Sequence, residues 1–222
     1  QLAAGVPNLF PFSAARSMYE PLDRLKFANS ASYTDQMRAA VSYFVKEKGK
    51  KAVCVMYQDT DFGKEILDGG TLQTAKLGIS LKEITAHKPT DQDFSAPLLK
   101  LRQAGCDLVL LGSITRDSIV PYTTARKMGW TDVDFVASSA AYEVVAATAQ
   151  GMDGFYAMSV TNIPYADSAS PEIRAFAETY KKKFNVDPNM GAVSGDVPAD
   201  LTATGLKKPG ADLPSDSFIK GR

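Results

Sequence analysis

The sequence predicts an α/β fold, a parallel sheet flanked by helices, and three observations carry that expectation. Apolar, β-rich runs begin at Ala52, Ile79, Cys106 and Val133, about 27 residues apart. Helical patterns fill the intervals, and strands joined by connections this long lie parallel in one sheet. After Val160 the character changes, because Thr161–Pro171 is polar, turn-rich and punctuated by Pro164 and Pro171, so the repeat ends at a boundary.

Each element has its own signal. Thr34 or Asp35 is placed to cap a first helix running to Glu47, with Met37, Ala40, Val41, Phe44 and Val45 on one stripe, and Gly49 closes it. The strand Ala52–Tyr57 follows, then a helical interval and a second strand, Ile79–Ile84. Asp91 or Asp93 opens a helix through Phe94, Leu98, Leu101 and Ala104 that stops at Gly105, before the strand Cys106–Leu111. Asp117 or Ser118 opens the next helix, which ends near Gly129 and feeds the strand Val133–Ala137; a last strand spans Phe155–Val160. Beyond the boundary, Pro171–Phe184 reads as a helix with proline in its first turn, and Leu201–Leu206 as part of another. Pro198, Pro209 and Pro214 interrupt the helical pattern of that final stretch.

Composition narrows the function. The 222 residues are 45% hydrophobic, 23% charged and 9% aromatic, a globular balance with length for one large or two modest domains. Lys+Arg and Asp+Glu stand at 25 each, which leaves no positive excess to hold nucleic acid or an anionic membrane and favours a small-molecule partner. The longest apolar runs, such as Leu108–Leu111, are strand-sized, far short of the ~20 residues of a membrane span, so a soluble mature chain is expected. Gln1–Pro7 carries neither the basic start nor the apolar stretch of a secretory signal. Cys54 and Cys106, the only cysteines, each lie in or beside a strand-like run; they match no disulfide framework or zinc spacing and are expected to be free buried thiols, the competing idea being that the first and third strands are neighbours and pair them.

In an open parallel sheet ligands bind beyond the carboxyl ends of the strands. Three loops qualify: Asp59–Gly63, Ser113–Asp117 and Ser138–Tyr142. Their small polar groups, aromatic rings and one guanidinium suit a small, partly apolar anion, although Ser138, Ser139 and Thr115, each taken alone, read first as caps of the following helices. No catalytic constellation competes. Asp61-Phe62-Gly63 lacks every other kinase element, and Gly191–Gly195 lacks the spacing of a nucleophile elbow. His87, the only histidine, reads as a solvated loop residue at the sheet edge. No cluster has metal spacing and no strand is followed by a nucleotide-binding loop, so a non-enzyme without cofactor or metal is expected.

In order and content the chain resembles the branched-chain amino acid binding family of periplasmic solute receptors. Val6–Ala15 is similar to the last strand of the family's first lobe and its ligand loop, and Tyr33–Glu47 to the helix entering the second lobe. Lys51–Gly63, a strand with an acidic turn and an aromatic-Gly ending, is the most specific match; Asp91–Ser95, Leu98–Leu101 and Cys106–Val109 resemble the next helix and strand.

The resemblance implies a two-lobed type I periplasmic binding protein whose first lobe is incomplete in this sequence. Residues 1–28 would be a first-lobe segment and hinge, 29–155 a complete second lobe and 156–222 the return to the first, with the hinge near Phe27–Asn29 and Ser159–Asn162. It further implies a monomeric receptor, free or lipid-anchored in the periplasm or otherwise outside the cytoplasm, that closes on a small carboxylate and presents it to the permease of an ABC transporter. A ligand-sensing domain of a receptor or amide-responsive regulator would share the architecture. By position, Ser13 with the backbone at Ala14 and Ala15 would hold the carboxylate, Phe62 would pack on the ligand, and Ile114 or Thr115 would line the next loop. The amino-acid receptors of this kind place an acidic group where Ser139 stands, so an apolar or aromatic acid is favoured over an amino acid; Glu143 is either a substitute or a surface residue. Ile114, Tyr142 and Phe62 would cover the apolar body, and Arg116 either pairs the carboxylate or is a surface partner of Asp117.

Overall fold

The computed structural model describes residues 2–207, which divide into two compact units: Ala31–Thr161, and residues 2–30 with 162–207. In chain order the second of these contributes β1 (Asn8–Leu9) and β2 (Lys26–Phe27), a short parallel ladder in which Asn8 faces Lys26 and Leu9 faces Phe27.

The unit Ala31–Thr161 then runs α1 (Tyr33–Lys46), β3 (Val53–Gln58), α2 (Asp61–Lys76), β4 (Ile84–His87), α3 (Ser95–Gln103) and β5 (Leu108–Gly112). It continues with α4 (Thr115–Lys127), β6 (Asp134–Ala137), α5 (Val144–Thr148) and β7 (Phe155–Ala157). Its five strands are all parallel, in the order β4-β3-β5-β6-β7. The chain returns to the flanking unit as α6 (Pro171–Phe184) and α7 (Met190–Lys207).

Alternation along the strands assigns the two faces of the sheet. Val53, Val55, Leu108, Leu110 and Val136 point to one face, where Met37, Ala40, Val41 and Phe44 of α1 and Ile66 of α2 cover them. Cys54, Met56, Val109, Leu111, Phe135 and Ala137 point to the other, under Leu98 and Leu101 of α3 and Tyr122 and Ala125 of α4. Both faces are thereby dry, as a parallel sheet requires. The first helix is capped earlier than its sequence suggests: Ser32 accepts from the Asp35 N–H, in place of the expected Thr34 or Asp35. Gly49, Gly105 and Gly129 close their helices in the left-handed region.

Four expectations are corrected. The second strand is Ile84–His87, not Ile79–Ile84: Ile79 and Leu81 pack beneath the sheet from a connecting segment, which touches β3 through the Lys82 N–H on the Val53 carbonyl, and the register with β3 runs from Val55 facing Ile84. Cys54 and Cys106 are not free thiols but a disulfide, because β3 and β5 are neighbours and bring the two Cα atoms to 5.9 Å. His87 is not solvated; it ends β4 with its ring buried against Phe94, edge to face at 5.0 Å between centroids. Pro198 does not end its helix, since α7 runs through it and forgoes one backbone bond. Pro209 and Pro214 lie outside the described residues. No helix among the described residues is long and apolar enough to cross a membrane.

Candidate functional site

The strand order places a topological switch point between β3 and β5, from which the chain departs to opposite sides, and a crevice for a ligand opens beyond the carboxyl ends of such a pair. Three predicted loops lie at this edge. After β3, Thr60 caps α2 by accepting from the Gly63 N–H, and a Cβ at Gly63 would collide with the Gln58 carbonyl oxygen. Glycine thus lets the helix start directly under the strand end, which leaves Phe62 half-buried at the mouth with its ring edge-on to Tyr33, 4.8 Å between centroids. At the end of β5 a Cβ on Gly112 would meet Tyr57 Cβ at 2.8 Å and Ile66 Cβ at 3.1 Å, so here too α2 approaches the sheet as closely as a hydrogen atom allows.

The loop after β5 presents Ile114, 46% exposed, as the residue preceding α4. Thr115 donates its hydroxyl to the Ala140 carbonyl, 3.4 Å, and so ties this loop to the one after β6. Arg116 donates Nε to Asp117 Oδ1 and Nη2 to the Pro89 carbonyl, 2.9 Å, which joins it to the loop after β4. About half of its side chain is exposed. The hydrogen bond to Asp117, with the attraction of that carboxylate, holds the guanidinium pKa above its ordinary value. Asp117 is fully buried, and its Oδ2 has no hydrogen-bond partner among the described residues.

After β6, Ser138 caps a 3-10 turn, Ser139–Ala141, by accepting from the Ala140 N–H, so capping describes Ser138 fully. Ser139 does something else: its backbone N–H is donated to Gln36 Oε1 at 2.8 Å. Tyr142 ends the turn with its N–H on the Ser139 carbonyl, and Glu143 folds back to accept from the Val144 N–H. In the flanking unit Ser13 Oγ accepts from the Ala15 N–H, 3.2 Å, and Ala14 is buried between them.

Sequence reasoning missed two residues at this edge. His87 Nε2 lies 3.0 Å from Ser113 Oγ, and Nδ1 lies 3.4 Å from the Lys88 carbonyl. A carbonyl only accepts, so this geometry suits a proton on Nδ1, and in the neutral form of that tautomer Nε2 accepts from the serine hydroxyl. Burial pushes the imidazole below its ordinary value; the nearby Asp117 and Asp91 oppose that shift, and Arg116 adds to it. Gln36 is the other. It stands one helical turn before Ala40 and two before Phe44, on the apolar stripe itself, and a polar residue there was the available signal.

The family described as periplasmic binding protein matches residues 5–221, and the chain belongs to it. It is 23% identical over 150 residues to Leu/Ile/Val-binding protein homolog 8 of Brucella abortus, covering 66% of this chain and 37% of the relative. Among solved structures, a branched chain amino acid ABC transporter protein from Thermus thermophilus with bound valine superposes with a TM-score of 0.85 at 17% identity, covering 99% of this chain and 59% of that one. A fatty acid ABC transporter substrate-binding protein from Thermomonospora curvata gives 0.82 at 23%, covering 96% and 56%. The fold is therefore that of the type I periplasmic binding proteins, and the chain spans little more than a third of the curated relative and under two thirds of either solved chain.

Proposed function

We propose that this chain is the ligand-binding part of an extracytoplasmic receptor that closes around a small carboxylate and delivers it to the permease of an ABC transporter, without chemical turnover. The observation that carries the reading is a switch-point crevice with Ser139 in one of its loops, where the resemblance to amino-acid receptors implies an acid. A ligand ammonium buried there without a counter-charge costs several kcal/mol, so an acid with an apolar or aromatic body is preferred. In this reading 29–155 is the second lobe, 1–28 and 156–222 belong to the first, and the protein works as a monomer in the periplasm, free or lipid-anchored.

Phe62, Ile114 and Tyr142 would cover the apolar body, Thr115 and Ser139 would line the loops, and Ser13 with the backbone at Ala14 and Ala15 would hold the carboxylate. Arg116 adds a second donor, because its Nη1 makes no hydrogen bond among the described residues. Of two similar proteins, the one named for fatty acid supports the acid reading and the one carrying valine supports the amino-acid alternative, so both ligand chemistries occur on this fold. A buried disulfide also suits an oxidising compartment.

Calorimetric titration of the full-length protein with leucine, its deaminated analogue and benzoate tests the reading, with the ligand recovered afterwards for mass spectrometry. Binding of either acid more tightly than leucine, with the acid returned intact, is expected. Tight binding of leucine alone overturns the ligand class, and chemical conversion overturns the receptor.

A further inference from the structure

We propose that Gln36 is a positioning residue that fixes the Ser139 loop to the segment entering the unit Ala31–Thr161, and so sets the affinity of the site; the inference rests on the receptor reading above. Its side chain is buried, and both of its polar atoms are engaged: Oε1 accepts from the Ser139 N–H at 2.8 Å, and Nε2 donates to the Ala31 carbonyl at 2.8 Å. Neither partner can exchange roles, since an N–H only donates and a carbonyl only accepts, so the amide has one orientation and no other. Ala31 is the first residue of its unit, and Ser139 opens the turn that carries Tyr142. One side chain thus spans from the crossing point of the chain to a candidate ligand loop.

Gln36 does not act alone on that face. Tyr33, three residues earlier and on the same side of α1, holds the ring of Phe62, while Thr34 donates to the Glu65 carbonyl of α2 at 3.2 Å. The first turn of α1 therefore touches the loops after β3 and β6, and it follows directly on the segment through which the chain arrives. A displacement of that segment is carried to Ser139 through two hydrogen bonds of fixed sense. An apolar side chain of similar size would fill the space but leave the Ser139 N–H and the Ala31 carbonyl without this partner.

The test compares full-length wild type with Gln36→Leu, which removes both bonds, and Gln36→Glu, which keeps an acceptor for Ser139 but cannot donate to Ala31. Amide hydrogen exchange on the unliganded proteins reads the loop directly: the Ser139 amide is expected to exchange at least about tenfold faster in Gln36→Leu and close to wild type in Gln36→Glu. Titration with leucine, its deaminated analogue and benzoate is expected to show about tenfold weaker binding in Gln36→Leu for whichever probe wild type binds. A merely packing role predicts that both variants lose thermal stability together with no selective change at Ser139. An equally protected Ser139 amide in a folded Gln36→Leu protein overturns the proposal, as does an affinity within about twofold of wild type. If wild type binds none of the three probes, the receptor reading for those ligands fails, and the exchange measurement alone decides the role of Gln36.

Discussion

The unit Ala31–Thr161 and the stretches that flank it use the same residue types to different effect. In the former, a five-stranded sheet is covered on both faces, and nearly every buried apolar side chain of the described residues belongs to it. Among the described residues, the flanking stretches bury only Ala14, Leu25, Ile163 and Ala177 of their aliphatic and aromatic side chains, prolines aside, while Phe12, Leu22 and Val186 stand in solvent. Their aromatic rings satisfy one another along a helix instead: Phe176, Tyr180 and Phe184 of α6 form a ladder with centroids 6.0 and 4.6 Å apart. A hydrophobic sequence becomes a core only when a second layer is there to receive it.

That contrast can be broken or sharpened by experiment. The largest effect is expected from the disulfide, which ties residues 52 apart in sequence inside the layered unit. Replacing Cys54 and Cys106 together by alanine should lower the unfolding free energy by about 4 kcal/mol on the chain-entropy estimate. Urea denaturation with and without reductant measures it; a loss below about 1 kcal/mol would mean the layers hold β3 to β5 unaided.

One substitution made in both regions should give opposite signs. Gly63→Ala drives a methyl into the Gln58 carbonyl and is expected to cost about 3 kcal/mol or more. Gly195→Ala, inside α7 where a Cβ meets nothing within 4 Å, should stabilise by up to about 1 kcal/mol. Equal losses at both sites would show that the flanking helix is packed as tightly as the sheet.

The smallest effect concerns pH. His87 titrates below its ordinary value of 6.5 in the folded chain, so the unfolded chain takes up its proton first on acidification. Its contribution is complete above pH 6.5 and declines as pH falls from there towards the lower folded value. Between about pH 7.5 and about pH 5.5 the melting temperature of wild type should fall by more than that of His87→Gln. Parallel curves would place the histidine in solvent after all.

The sequence announced the layered unit because β-branched and leucine-rich runs recurred at a fixed interval with helical spacing between them. It misplaced β4 because Ile79 and Leu81 alternate as a strand does, yet alternate only because a connecting segment dips twice under the sheet. β4 itself, Ile84-Thr85-Ala86-His87, is an edge strand whose buried face is polar, and hydrophobic pattern cannot announce that. The disulfide was hidden for a different reason. Two cysteines in the first and third strands of the unit could be neighbours or not, and only the strand order decides between a disulfide and two thiols. At the site, the loops follow from the rule for parallel sheets, whereas Gln36, a glutamine in the first turn of a helix, is ordinary in sequence and its role depends on a partner far away in the chain. Its partners lie at Ala31 and Ser139, and only folding brings the second within reach.

On the receptor reading proposed above, Gly112 limits how ligand preference could change. Any other residue at the end of β5 would press on Tyr57 and Ile66 and lever α2, with Phe62 on its first turn, away from the strand. The floor of the crevice is consequently closed to gradual alteration: there is no small step between a hydrogen atom and a misplaced helix. On that reading, new ligand preferences would come from the loops above it, at positions such as the exposed Ile114, which lies outside the sheet.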